Sequence, residues 1–89
     1  MNDYSHQPGR FRNKITNEEF DAIQWRGWNH YPVTKFLDDA LYTFDKHGNM
    51  CVYTEDFVLW LKPMDWVIIT ETDINCCAPM IFEQLAEEL

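Results

Sequence analysis

Serine is almost missing from this 89-residue chain: Ser5 is its single copy, so an ordinary serine-hydrolase nucleophile is available nowhere outside the first few residues. No P-loop, G-x-S-x-G, H-E-x-x-H or Cys/His pairing pattern occurs either, and the expectation is a protein with no catalytic residues and no enzymatic activity. Basic residues stop at Lys62. No apolar run approaches the ~20 residues that span a bilayer, and no charged-then-apolar signal opens the sequence, so no membrane association is expected. The three cysteines, Cys51, Cys76 and Cys77, are an odd number with two adjacent, which argues against a disulfide framework and for a reducing cytoplasm.

What is present is negative charge and aromatic surface. Seven basic and fifteen acidic residues give a net charge of −8, unevenly divided. Residues 1–35 set Arg10, Arg12, Lys14, Arg26 and Lys35 against four acids, a net +1, whereas residues 36–89 carry Lys46 and Lys62 against eleven acids, a net −9. A field of that sign repels nucleic-acid phosphates and attracts basic surfaces, so direct nucleic-acid binding is not expected. Aromatic residues make up 16% of the chain, more than a minimal core needs in a single domain that buries only about 60% of its unfolded surface. The surplus is available to a partner.

Residues 1–13, with Pro8-Gly9, two arginines and little apolar periodicity, read as a flexible N-terminal arm, and residues 14–89 as one domain. Ile15 to Trp25 ends in a first strand that places Ala22 and Gln24 on one face and Ile23 and Trp25 on the other. Pro32 suits the start of a short helix whose apolar stripe is Val33, Phe36, Leu37, Ala40 and Leu41. Tyr42 to Phe44 reads as extended, and 45–49 as a turn with Gly48 at positive φ. Met50–Thr54 and Phe57–Leu61 read as a hairpin across Glu55-Asp56, followed by a strand over Trp66–Thr70 and a short one over Thr72–Asn75. Pro79 opens a closing helix with Ile81, Phe82, Leu85, Ala86 and Leu89 as its buried stripe. The fold class expected is α+β: a small curved antiparallel sheet of about four or five strands covered by one short helix and a C-terminal helix.

Three motifs, Ala22-Ile23-Gln24-Trp25-Arg26-Gly27, Lys62-Pro63-Met64-Asp65-Trp66-Val67-Ile68 and Cys77-Ala78-Pro79-Met80-Ile81-Phe82-Glu83, occur in order over Ile15 to Glu88. Together they resemble a PGDYG-like family of small phage and prophage proteins with A-I-Q-W-x-G, P-G-D-W/Y-I/V and C-x-P-x-I-F-E signatures. Met64 stands where that family usually has glycine, and the glycines usual after the second motif are replaced around Glu71-Thr72-Asp73. The resemblance implies viral origin, residence in the host cytoplasm and a compact α+β domain, with no established catalytic residues to carry over.

The candidate partner-binding residues fall into two groups. Arg26, Trp28 and Tyr31 lie in a connection whose mix of aromatic, Arg and Asn residues resembles a recognition loop. Asp38, Asp39, Glu55, Asp56, Asp65, Glu71 and Asp73 form the acidic set that a basic partner would meet. Cys76 and Cys77 with Cys51 and His47 or His30 do not follow zinc spacing, and neither a metal nor a cofactor is expected. The leading functional expectation is a phage-encoded inhibitor that binds a host protein with a basic surface, such as a nucleic-acid-binding or defence protein, through a phosphate-mimicking face. The alternative is an oligomeric binder or sponge for a nucleotide signal, which needs Arg10, Arg12, Arg26 or Lys35 to converge, within one protomer or across a homo-oligomer.

Overall fold

The computed structural model describes residues 7–89 and has an α+β fold, mostly sheet. In chain order its elements are β1 (Gly9–Asn13), β2 (Glu19–Gln24), α1 (His30–Phe36), β3 (Leu41–Phe44), β4 (Met50–Tyr53), β5 (Val58–Leu61), β6 (Trp66–Ile69), β7 (Ile74–Cys77), α2 (Pro79–Leu85) and β8 (Ala86–Glu88). The strands form two antiparallel sheets rather than the single one expected: five strands in the order β7-β6-β2-β1-β8, and three in the order β3-β4-β5. Alternation along β2 explains the layering. Ile23 and the following Trp25 face a core shared with Val33, Leu37, Met50, Val52, Leu59, Leu61 and Val67, under the small sheet and α1. Phe20 and Ala22 face the opposite way, into a second core with Trp66 and Phe82 beneath α2. The two-faced reading of β2 is therefore borne out.

The flexible-arm reading is corrected for residues 9–13. Gly9–Asn13 is a strand inside the five-stranded sheet, with Phe11 opposite Phe20 and Arg10 opposite Asp21. Phe11 packs edge-on against Phe82 at 5.0 Å and Trp66 at 5.6 Å, while Arg10 reaches Asp21 at 3.1 Å and Arg12 reaches Glu87 at 2.6 Å on the other face. One apolar residue between two arginines is too short a pattern to read as a strand, but one apolar side per two residues is all a strand requires. Residues 1–6 of the expected arm lie outside the described residues.

The closing helix is also corrected. It ends at Leu85, and Ala86, extended at φ −103 and ψ 140, begins β8, which pairs with β1 from Phe11↔Glu88 to Asn13↔Ala86. The free edge of β1 gains ladder bonds this way, which outweighs the helical preference of Ala-Glu-Glu. Phe82 is buried as expected and stacks on Trp66 with centroids 3.8 Å apart, but Ile81 and Leu89 are exposed.

Likewise α1 stops at Phe36. Asp38 and Asp39 adopt φ 57 and 60, which breaks the helix, so Ala40 and Leu41 leave its stripe and Leu41 enters β3. Asn29 rather than Tyr31 precedes the first helical residue, which puts Pro32 within the first turn, where its missing N–H is harmless.

The turns follow local chemistry. The Asp45 carboxylate accepts bonds from the Asn49 side chain at 2.8 Å, His47 N at 2.8 Å and Asn49 N at 3.0 Å, and Gly48 takes φ 82 as expected. The Asn49 side-chain bond leads in holding the Asp45 carboxyl below its ordinary range. Across Glu55-Asp56, where no glycine is present, the Thr54 hydroxyl bonds Phe57 O at 2.7 Å and accepts from Phe57 N at 3.1 Å, and the Met50↔Leu61 to Tyr53↔Val58 register results.

Met64 occupies a position that glycine would suit. Asp65 N donates to Lys62 O at 3.0 Å, with Pro63 and Met64 as the central pair and Met64 at φ 81, the arrangement of a type II turn. A left-handed backbone costs a non-glycine residue about 1–2 kcal/mol, and glycine returns part of that gain through its looser unfolded chain. Met64→Gly is therefore expected to raise stability by about 0.5–1 kcal/mol, read as a higher denaturation midpoint at unchanged slope. A lower midpoint would show that contacts of the half-exposed Met64 side chain outweigh the strain.

Candidate interaction surface

The small sheet is apolar on both faces. Its register aligns Leu41, Tyr53 and Val58 in one cross-strand row and Thr43, Cys51 and Trp60 in the next, all on the side away from the core residues Met50, Val52, Leu59 and Leu61. No member of these rows is charged. Leu41 is 76% and Trp60 67% exposed, Tyr53 and Val58 are also open to water, and the small Cys51 is buried between its larger neighbours. Leaving such side chains in water forgoes about 25 cal/mol for every Å² of apolar area that would otherwise be covered.

One end of the same sheet collects part of the acidic set. Asp38 and Asp39 precede β3, and Glu55 and Asp56 join β4 to β5 beside the Tyr53↔Val58 pair, so these four carboxylates surround the Leu41 end of the rows. Lys35 is the cation there, 3.0 Å from Asp39, and its ammonium lies 5.5 Å from the centre of the Tyr31 ring. The other candidates are not drawn into this group. Asp65 is spent on the turn, accepting from Lys62 N at 3.0 Å, and Glu71 and Asp73 belong to the β6–β7 turn. The acidic set expected as one face is thus divided, because charge counted along a chain carries no information on which turns share an end of a sheet.

Trp28 and Tyr31 are both exposed, at 63% and 64%. They do not share one loop as expected: Tyr31 lies in the first turn of α1, and the loop that carries Trp28 is pinned by Asn29, whose buried side chain accepts from Arg26 N at 2.7 Å and donates to Gln24 O at 2.9 Å, with Gly27 at φ 87 making the bend. Between α1 and β3 runs an open groove of about 330 Å³ lined by His30, Tyr31 and Thr34 of α1, Leu41 and Tyr42 of β3, and Asp39 and Ala40 between the two elements. An aromatic series supports its floor: Trp25 stacks on Phe44 at 5.6 Å, Phe44 meets Tyr42 edge-on at 5.2 Å, and Tyr42 meets His30 at 5.6 Å.

The cations that a phosphate ligand would need are largely committed elsewhere. Arg10 is held by Asp21 and Glu19, Arg12 by Glu87 and Lys35 by Asp39, and Arg26 lies 3.2 Å from the Gln24 side-chain oxygen. Among the described residues no group of three His, Cys, Asp or Glu side chains is placed to hold a metal ion. Burial pushes the Cys77 thiol up to about 11 and raises that of Cys76. A thiol near 11 is about 1 part in 1,000 thiolate at pH 8, so Cys77 is expected to alkylate with iodoacetamide about 100-fold more slowly than a free cysteine, followed by mass spectrometry. Alkylation at the free-cysteine rate would show that the desolvated environment of this thiol opens in solution.

No protein-family model matches the chain, and neither a curated protein nor a solved structure matches it. No described helix is long and apolar enough to cross a membrane.

Two kinds of residue escaped sequence reading. Val58 and Trp60, with Leu41 and Tyr53, make the open face. The signal was the run Val58-Leu59-Trp60-Leu61, apolar at odd and even positions alike, in a chain too short to cover both sides. Asn29 is the other, and a buried side chain that bonds backbone on both sides of a bend leaves no trace in composition.

Proposed function

We propose that this protein is a non-enzymatic binder, phage-encoded as its three motifs imply, that docks the outer face of its small sheet on a host protein and inhibits or redirects it. The observation that carries this reading is the uncharged double row Leu41-Tyr53-Val58 and Thr43-Cys51-Trp60, in which every residue but Cys51 is exposed. A contiguous apolar patch with a polar rim is typical of an interaction site, and Trp and Tyr are the residues that most often anchor one. Asp38, Asp39, Glu55 and Asp56 at its end favour a partner with a basic surface, such as a nucleic-acid-binding or defence protein. Charges of this kind act mainly by speeding encounter, an effect screened over about 10 Å at 0.1 M salt.

The test is affinity capture from host extract with the natural chain and the Trp60→Glu variant, at low and high salt, with retained proteins identified by mass spectrometry. The expected result is a protein held by the natural chain, weakened at high salt and lost with Trp60→Glu. Equal retention by both chains, or nothing retained by either, would remove the proposal.

A further inference from the structure

The small sheet ends differently on its two sides. Beyond β5 lies β7, with the Cys76 sulfur 4.0 Å from the Trp60 carbonyl oxygen. Beyond β3 no described strand follows. Natural sheets blunt a free edge with lysine, proline, a bulge or inward charge, and β8, the free edge of the large sheet, carries Glu87 and Glu88. The sequence of β3, Leu-Tyr-Thr-Phe, has none of these devices, and all four residues are exposed.

Its backbone is also aimed outward at alternate residues. Asp45 N donates to Asn49 O across the β3–β4 pair, and in an antiparallel ladder the bonding side alternates, so Thr43 and Leu41 turn their N–H and C=O toward β4. Tyr42 and Phe44 therefore turn theirs away from it, over the groove that α1 walls with His30, Tyr31 and Thr34. A helix beside an open strand edge is the layout by which extended peptides add a strand, with main-chain bonds supplying affinity and alternate side chains entering the groove.

We propose that the β3 edge and the α1 groove bind an extended segment of the partner as a fourth antiparallel strand, with an apolar residue opposite Tyr42 and a basic residue three or four positions later. The order follows from geometry. A strand antiparallel to β3 that pairs with Tyr42 next passes Leu41 and Ala40 and then meets Asp39 and Asp38, so the positive charge belongs at its C-terminal end. The residue opposite Tyr42 points into the groove, and its neighbours extend the apolar outer face. Charge selects this occupant over a second copy of the chain, which would bring another net −8 to the same edge.

This inference rests on the protein-binding reading above, and its test separates the two. A random heptapeptide library displayed on beads is selected against the purified natural chain, and the enriched peptides are resynthesised. The expected peptides alternate apolar residues and end in Lys or Arg. N-methylation at the residue pairing with Tyr42 is expected to weaken them about 10-fold or more, about what one main-chain bond and its clash are worth. Asp38→Asn with Asp39→Asn is expected to weaken basic-ended peptides several-fold and leave neutral-ended ones unchanged. No enrichment would overturn the inference. So would peptides indifferent to N-methylation but lost with Trp60→Glu, a result that leaves the outer face as the docking site. Sedimentation showing a dimer with the Tyr42 and Phe44 amides protected would assign the edge to a second copy and likewise overturn it.

Discussion

Removing residues 1–13 is expected to abolish folding. β1 lies between β2 and β8, so its loss leaves β2 without a ladder on one side and β8 with no partner strand, and removes Phe11 from the Phe20, Trp66 and Phe82 cluster. A domain of this kind is stable by about 5–15 kcal/mol, and no small sheet survives the loss of an interior strand and one core aromatic from that margin. The ion pairs of Arg10 and Arg12 are exposed and add little. The measurement is proton NMR dispersion with circular dichroism: the truncated chain is expected to show collapsed amide shifts and no cooperative melt. A graded variant, Phe11→Ala, is expected to remain folded and lose about 2–3 kcal/mol, less than a fully buried phenylalanine would because Phe11 is only partly covered. A truncated chain that melts cooperatively at the natural temperature would restore residues 9–13 to the flexible arm that the sequence suggests.

Trp25→Ala is expected to be the most damaging single substitution, costing about 3–5 kcal/mol. Trp25 is 1% exposed and joins the two sheets: it extends β2, its ring stacks on Phe44 of β3, and its indole N–H donates to Gly48 O at 3.0 Å. Truncation opens a cavity between the layers and leaves the half-buried Gly48 carbonyl without its donor. For a domain of this length each kcal/mol moves the melting temperature by about 4–8 °C, so a fall of roughly 15 °C or more should follow. Trp25→Phe keeps most of the packing and loses the bond, which predicts about 1–2 kcal/mol. Trp28→Ala, at a largely exposed position on a pinned loop, is the control and should stay within about 0.5 kcal/mol of the natural chain. A Trp28 effect as large as that of Trp25 would mean that the exposed loop is packed in solution.

The sequence was legible where one local rule acted without competition. The two faces of β2, the Asp45 to Asn49 turn with Gly48, the 50–61 hairpin and the start of α2 at Pro79 all follow from alternation, a carboxylate beside free N–H groups, or a proline in a first turn. It misled where a distant partner decided the outcome. Ala86 to Glu88 has helical composition but meets the free edge of β1, and the pairing is visible only once β1 is known to be a strand. The Val33 to Leu41 stripe satisfies helical spacing on paper, yet two consecutive aspartates in the left-handed region end α1 and send Leu41 to the opposite surface. The candidate site was legible in part for the same reason. Trp28 and Tyr31 are both exposed, though Tyr31 belongs to α1 and not to the connection, whereas the division of the acidic residues and the open Leu41-Tyr53-Val58-Trp60 face depend on cross-strand register.

The small sheet is the proposed docking surface, and amide hydrogen exchange of the chain alone and with its captured partner tests it most directly. Docking on the small sheet predicts added protection within Leu41–Phe44, Met50–Tyr53 and Val58–Leu61, with β2 and β8 unchanged. Protection confined to β8, to the β6–β7 turn or to α2, with the small sheet exchanging as in the free protein, would contradict it.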